Sequence, residues 1–300
     1  MDLDGINGSH LLGFMGALGT LILLDDRARS QRFLPPRLHF TRDGTATISE
    51  VDLTKDALAD ATFAELQRYR PFYEEQLSGV KKPTDFEATS FLALAARSNR
   101  KESDILAGLA CCVGEEAVES SLCAANGASH QNLIQSVRDV LLLLESNHVR
   151  AALFAPWRKD YEVPDNVRRR LDLGTRKPTL RLDPADERLY ALRFSNPTTA
   201  DDYKTELGAQ ALAIPSFTAL PVVPRARPLS VASIRSRNRV FFHWPIWETP
   251  ATLASVRSLL FAGIDRPEEA RQRGAFAAFR TARVAGDKGK LSFAPTEGVW

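Results

Sequence analysis

Residues 239–247 read Arg-Val-Phe-Phe-His-Trp-Pro-Ile-Trp, and this aromatic run decides which side of the surrounding segment is buried. Side chains of a β-strand alternate between two faces, so a strand near Arg239–Trp244 would place Phe242 and Trp244 on one of them. The other face would carry Arg239, Phe241 and His243. We expect the segment Trp244–Trp247 to belong to the hydrophobic core rather than to form a platform for stacking bases.

The aromatic run closes a longer segment, Leu207–Trp247, that contains no Asp or Glu. Guanidinium groups without nearby carboxylates need a counter-charge, and an external phosphate is one candidate. The alternatives are acids that the fold brings close, or an exposed edge strand kept soluble by its charge. If residues 235–239 form one strand, their three arginines share a face that suits a nucleic-acid backbone. The candidate nucleic-acid-binding residues are Arg225, Arg227, Arg235, Arg237, Arg239 and His243.

The segments around this stretch predict a mixed second half. Alternating and helical patterns favour short strands and helices in turn, with a terminal hairpin through the polar residues 286–289. The predicted strands are Arg188–Ser195, Leu229–Ile234, Arg239–Trp244, Thr281–Ala285 and Lys290–Phe293, and the predicted helices are Thr205–Ala213, Leu253–Phe261 and Pro267–Phe279.

The first half opens with a glycine-rich apolar segment. A strand over Asp2–Ile6 is predicted to lead through a turn to Ser9, the N-cap of a helix that runs to about Asp25. Within this helix Gly13, Gly16 and Gly19 recur every third residue, which indicates close approach by a neighbouring backbone. The uncharged run is shorter than the roughly 20 residues that span a bilayer, so we expect a buried core helix.

The remainder of the first half predicts further helices around one hairpin. The Asp43-Gly44 pair favours a tight turn between strands Arg37–Arg42 and Thr45–Val51. The chain is therefore expected to be α+β, with a helix-rich first half and short antiparallel strands in the second. The expected regions are 1–155, a basic Pro-punctuated linker or loop at 156–184, and 185–300, which packs with the first region in a single-domain alternative. The predicted helices are Lys55–Leu77, Thr84–Arg97, Glu102–Val113 and Asn132–Glu145.

Composition is that of an ordinary globular chain, with 44% hydrophobic and 25% charged residues among 300. The net charge of +2 conceals an acidic first half and a basic second half, which suits either a polyanion site or docking between subunits. The three cysteines lack zinc-finger spacing, and Asp2 and Asp4 precede the apolar run where a secretory signal would carry positive charge. We therefore expect a cytoplasmic protein with no bound cofactor, no metal and no membrane contact.

Two polar glycine turns precede predicted helices, where free N–H groups and the helix dipole favour an anion. Most such turns only cap helices. The possible anion-binding residues are Asn7, Gly8, Ser9 and His10 in the first turn, and Asn126, Gly127, Ser129 and His130 in the second. The sequence holds no nucleotide-binding P-loop, nucleophile elbow or paired metal-binding histidines, so no catalytic residue is predicted.

Several patches resemble one family. Gly8, followed by Leu12-Gly13-Phe14 and Ala17-Leu18-Gly19, resembles the N-terminal "G…LGFLAALG" pattern of type I-G CRISPR-associated proteins. Residues 126–137 give a third match. The segments similar to the C-terminal signature of that group are Leu220–Pro224, Phe242–Trp247 and Thr252–Leu260. The nearest relatives by this resemblance are the extension of the CRISPR helicase-nuclease and the large-subunit-like proteins of the subtype.

The resemblance implies an accessory or subunit of an RNA-guided antiviral effector that contacts guide RNA, target DNA or other effector subunits. It supplies no catalytic motif, and the chain lacks the nuclease and helicase motifs of the helicase-nuclease itself. Two other hypotheses remain open from the residues. One is a protein–protein adaptor whose basic half docks an acidic partner, and the other is a nuclease with a dispersed active site.

Overall fold

The computed structural model describes residues 1–123, 132–158, 160–174, 176–182, 205–224, 227–236, 239–262, 267–285 and 291–300. Helices and small antiparallel sheets form an α+β fold, as predicted. The helices are α1 (Leu11–Gln31), α2 (Lys55–Gln67), α3 (Ala88–Arg97), α4 (Arg100–Leu109), α5 (Leu133–Leu143), α6 (Ser146–Phe154), α7 (Asp165–Arg170), α8 (Leu207–Ala213), α9 (Leu253–Ala262) and α10 (Pro267–Gln272).

The strands in the described residues form antiparallel sheets. An N-terminal sheet has the order β1-β3-β2, and a C-terminal sheet has the order β11-β10-β9-β8 with β12 also paired to β10. Two small hairpins, β4-β5 and β6-β7, complete the set. The strands are β1 (Asp2–Asn7), β2 (Arg37–Phe40), β3 (Thr45–Ser49), β4 (Ala110–Val113), β5 (Glu116–Glu119), β6 (Val222–Val223), β7 (Leu229–Ser230), β8 (Ser233–Ser236), β9 (Arg239–Trp247), β10 (Ala275–Ala285), β11 (Leu291–Phe293) and β12 (Glu297–Gly298).

Helix α1 lies at the centre of the core, and every residue from Leu11 to Asp25 is buried. The predicted core helix is therefore confirmed, although it continues to Gln31. Ser9 is not its N-cap as predicted, because the extended residue before the first helical turn is His10. Among the described helices, none combines the length and apolar character needed to cross a bilayer.

Two of the three glycines in α1 lie against a neighbouring backbone. A Cβ atom on Gly13 would lie 1.9 Å from the carbonyl oxygen of Asn7, at the end of β1. A Cβ atom on Gly19 would lie 1.8 Å from the carbonyl oxygen of Leu212 in α8. The prediction of close backbone approach is confirmed at these positions, whereas a Cβ atom on Gly16 would make only an ordinary contact.

An aromatic cluster joins the two sheets across α1. The Phe14 ring lies 5.8 Å from Trp244 and 6.4 Å from Phe40, and Phe40 meets Trp247 edge-on at 5.2 Å. Both tryptophans are almost fully buried, which confirms that this segment belongs to the core. The Nε1–H of Trp244 donates to the carbonyl oxygen of Gly8 at 2.7 Å, so the C-terminal sheet holds the turn that precedes α1.

The described part of the basic segment 156–184 packs onto the body instead of linking two exposed units. Its residues Leu173, Leu180 and Leu182 are buried in the hydrophobic cluster that also contains side chains from both halves of the chain. Arg176 pairs with the buried carboxylate of Asp139 at 2.8 Å, which ties the segment to α5. The triplet Arg168–Arg170 ends the short helix α7.

Several predicted elements need correction. The predicted helix Glu102–Val113 ends at Leu109, and the following residues enter a strand that pairs with β5. The predicted helix Pro267–Phe279 ends at Gln272, because Gly274 adopts a left-handed conformation (φ +91°) and the long strand β10 begins at Ala275. Similarly, α2 ends at Gln67, before the π-helical turn at Phe72–Gln76. The predicted strand Leu229–Ile234 is divided into β7 and β8, because Val231 and Ala232 form a turn. The remaining predicted helices and hairpins have counterparts in the structure. The predicted strand Arg188–Ser195 lies outside the described residues.

Candidate functional site

The predicted single row of three arginines is replaced by a hairpin. Strands β8 and β9 pair antiparallel, with Ser236 opposite Arg239 and Arg235 opposite Val240. Since directly opposed residues share a face of the sheet, Arg235 and Arg239 lie on opposite faces. The prediction that residues 235–239 form one strand is therefore wrong, because the chain reverses direction between Arg235 and Arg239. Arg225, Arg237 and the second glycine turn, with Asn126, Gly127, Ser129 and His130, lie outside the described residues.

Along β9 the predicted alternation is observed. Phe242 and Trp244 point into the core, and the outer face carries Arg239, Phe241 and His243. Phe241 and His243 meet edge-on at 6.1 Å. Arg280 of β10 extends this outer face, because it is paired with His243 in the sheet register and its guanidinium lies 5.4 Å from the centre of the Phe241 ring.

A groove opens between this hairpin, the β6–β7 hairpin and the C-terminal end of α9. Its volume is about 540 Å³, within the range of pockets that hold small organic ligands. Buried side chains, among them Val231, Pro245 and Leu260, form the bottom of the groove. The rim carries the exposed side chains of Arg227 and Phe261. The complete lining is Val223, Arg227, Leu229, Ser230, Val231, Ala232, Ser233, Ile234, Arg235, His243, Pro245, Leu260, Phe261 and Ala262.

The groove brings together three of the predicted residues, Arg227, Arg235 and His243, from three separate segments. None of the lining residues that the structure describes is acidic. Within the described residues, neither Arg227, Arg235 nor Arg239 makes a hydrogen bond or an ion pair, and all three are exposed. A guanidinium group is positively charged, so these three side chains present positive charge that no described acid neutralises.

Other arginines do find acids supplied by the fold. Arg257 pairs with Asp104 at 3.3 Å, and Arg283 pairs with Glu119 at 2.8 Å. Acids brought close by the fold were one of the alternative sources of counter-charge considered for the arginine-rich segment. In the described part of the chain it holds for Arg257 and Arg283 but not for Arg227, Arg235 or Arg239.

A serine network anchors one wall of the groove. The Ser230 and Ser120 hydroxyls lie 2.7 Å apart, and the hydroxyls of Ser233 and Ser121 are separated by the same distance. Between the two groove serines, Ala232 adopts a left-handed conformation (φ +63°), which is unusual for a residue with a Cβ atom. The surrounding contacts therefore hold the wall in one strained shape.

The first glycine turn is organised mainly by contacts within the protein. The Asn7 side-chain oxygen accepts from the backbone N–H of Ser9 at 2.8 Å and from its hydroxyl at 2.6 Å. Gly8 is buried beneath the Phe40 ring, while His10 is exposed. These contacts are those of a turn that positions the start of α1. The proposed anion role of Asn7, Gly8, Ser9 and His10 stays a prediction.

Sequence patterns did not identify the apolar half of the groove. Leu260 and Phe261 belong to the predicted helix Leu253–Phe261, for which no ligand contact was predicted. Arg280 lies between the predicted helix Pro267–Phe279 and the predicted strand Thr281–Ala285. The one available signal was Phe261, a large apolar residue that directly follows the buried Leu260 in α9. Among the described residues, no group of three or more His, Cys, Asp or Glu side chains is placed to bind a metal ion.

Neither the family models nor the curated protein sequences that were compared with this chain give a match.

Proposed function

We propose that this chain binds nucleic acid through the groove, as a non-enzymatic accessory or subunit of a type I CRISPR effector in the cytoplasm. The observation that carries the proposal is the convergence of Arg227, Arg235 and His243 on one groove, where none of the described lining residues is acidic. Arg239 follows the turn of the same hairpin, opposite Ser236, and adds a further exposed positive charge. Phosphate oxygens are the natural counter-charge for such a set.

The effector assignment rests on the short patches that resemble type I-G proteins. Three of those patches contribute to the groove. Leu220–Pro224 includes Val223, Phe242–Trp247 includes His243 and Pro245, and Thr252–Leu260 includes Leu260. The nucleic-acid partner in this setting is guide RNA or target DNA. The basic charge of the second half would also bring the chain onto a ribonucleoprotein assembly.

The test is a fluorescence-anisotropy titration of the full chain with labelled RNA and DNA at several salt concentrations. We expect binding that is independent of sequence and weakens as salt rises, because phosphate contacts release counterions. Replacing Arg227, Arg235 and Arg239 with Ala removes up to three phosphate contacts. The slope of log binding constant against log salt should then fall by about 2.

The matched control is Arg158→Ala, which removes an exposed arginine outside the groove lining. It should leave both the affinity and the salt slope close to those of the original chain. A triple variant with an unchanged slope would remove the groove from the proposal. If no nucleic acid binds at low salt while the chain co-purifies with effector subunits, the adaptor hypothesis is favoured instead.

A further inference from the structure

We infer that the groove takes an unpaired base of a single-stranded nucleic acid, with the neighbouring phosphates held by the arginines at its rim. The inference rests on the proposed function and adds the kind of strand that binds. It follows from the combination, in one concave surface, of buried apolar residues and exposed guanidinium groups.

The bottom of the groove is suited to a flat apolar face and not to a phosphate. Val231, Pro245 and Leu260 are all buried there, and they offer carbon atoms rather than hydrogen-bond donors. A phosphate placed against them would lose its hydration without gaining partners. A nucleobase, in contrast, has two apolar faces, and one of them can lie against these residues.

Phe261 supplies the stacking partner. Its side chain is 58% exposed although it is large and apolar, and it lines the groove from the last turn of α9. Base–aromatic stacking is common in proteins that bind single strands, because every base offers a π-face whatever its identity. The exposed ring beside the groove is therefore explained by an incoming base.

A duplex does not fit this surface. Its bases are stacked on each other, so their faces are covered, and its phosphates lie on the outside where they reach only the rim. Entry into the groove would need a base to be unstacked and unpaired, which costs a few kcal/mol in a duplex and much less in a single strand. The apolar residues at the bottom of the groove make no favourable contact with the duplex backbone.

The charge distribution favours a strand over a free nucleotide. Arg227 and Arg235 line the groove, whereas Arg239 lies outside its lining on the opposite face of the hairpin. One phosphate group cannot use all three positions, since two of them are on different faces of the sheet. A chain of phosphates passing the hairpin end can.

The experiment uses the full chain and oligonucleotides of one sequence, single-stranded or duplex, that carry the fluorescent base 2-aminopurine. We expect single strands to bind at least tenfold more tightly than the duplex, with a change in 2-aminopurine emission on binding. Phe261→Ala should weaken single-strand binding about tenfold, leave duplex binding unchanged and keep the salt slope. Phe261→Tyr should retain the affinity because the ring is kept.

The matched control is Phe33→Ala, which removes another exposed aromatic side chain (64% exposed) that does not line the groove. Equal affinity for single strand and duplex would overturn the inference, as would an unchanged affinity of Phe261→Ala. Displacement of the strand by a mononucleotide at concentrations near the strand's own Kd would also overturn it. None of these outcomes refutes the proposed function. The arginine variants test that function separately, because it fails only if nucleic acid does not bind through the arginines.

Discussion

The glycines of α1 allow a sharp test of the packing between α1 and α8. We consider Gly16→Ala and Gly19→Ala, which make the same chemical change one turn apart in one buried helix. A Cβ atom at position 16 would lie 3.8 Å from the Cβ of Leu212, an ordinary contact. A Cβ atom at position 19 would lie 1.8 Å from the carbonyl oxygen of the same residue, which is far inside any permitted contact.

The two variants are expected to change stability in opposite directions. Alanine gains about 1 kcal/mol over glycine in a helix interior, and at position 16 nothing offsets the gain. At position 19 the helices have to move apart, and because the overlap is with backbone we take the upper end, about 3 kcal/mol, of the usual cost of overpacking a core. After the helical gain is subtracted, Gly19→Ala should be destabilised by about 2 kcal/mol, so the variants differ by about 3 kcal/mol.

Urea unfolding followed by tryptophan fluorescence measures this difference. With a slope of about 3 kcal/mol per molar urea, the two midpoints should lie about 1 M apart on either side of the original chain. Far-UV circular dichroism of the folded forms checks that helix content is kept. If both variants shift the midpoint in the same direction by the same amount, the close approach of α8 at Gly19 is refuted.

Three further changes test the rest of the core. Arg176→Met leaves the buried carboxylate of Asp139 without its cation and should destabilise the chain by about 3 kcal/mol, and adding Asp139→Asn should restore most of this loss in urea unfolding. Burial lowers the pKa of His148 from its usual 6.5, and its Nδ1 accepts from the backbone N–H of Glu145 at 3.1 Å. Stability should therefore decrease as pH falls below 6.5, because the unfolded chain binds the proton more readily than the folded chain. The thermal unfolding midpoint of His148→Gln should depend less on pH than that of the original chain. Trp244→Phe removes a buried N–H donor and should cost about 2–4 kcal/mol by the same urea assay, whereas a loss below 0.5 kcal/mol would contradict the assigned hydrogen bond.

Elements set by short-range chemistry were predicted well. The Asp43-Gly44 turn requires a positive φ at its glycine, and the structure has φ +88° there, between strands β2 and β3. The spacing of Gly13 and Gly19 indicated backbone contact without showing which elements would make it. Position in the core was also evident for Trp244, because so large an apolar side chain stabilises the fold most when it is buried.

Elements that depend on distant partners were predicted poorly. Ala110–Val113 continues a helical pattern in sequence, but its backbone pairs with β5 in a hairpin. Residues Ala275–Phe279 are equally compatible with a helix, and they form a strand because β9 lies alongside to accept and donate their hydrogen bonds. Local propensity is too weak to decide such short apolar segments when a neighbouring strand is available.

For the candidate site, the sequence alone determined the chemistry and the tertiary structure determined the arrangement. The absence of Asp and Glu from Leu207 to Trp247 is a property of the chain, and it identified an arginine-rich segment whose charges lack local partners. Only the fold turned that segment back between Arg235 and Arg239 and placed Phe261 beside the groove. A pattern along one strand describes which side chains alternate, but a groove is formed by segments that are distant in sequence, and their approach depends on packing that no single segment encodes.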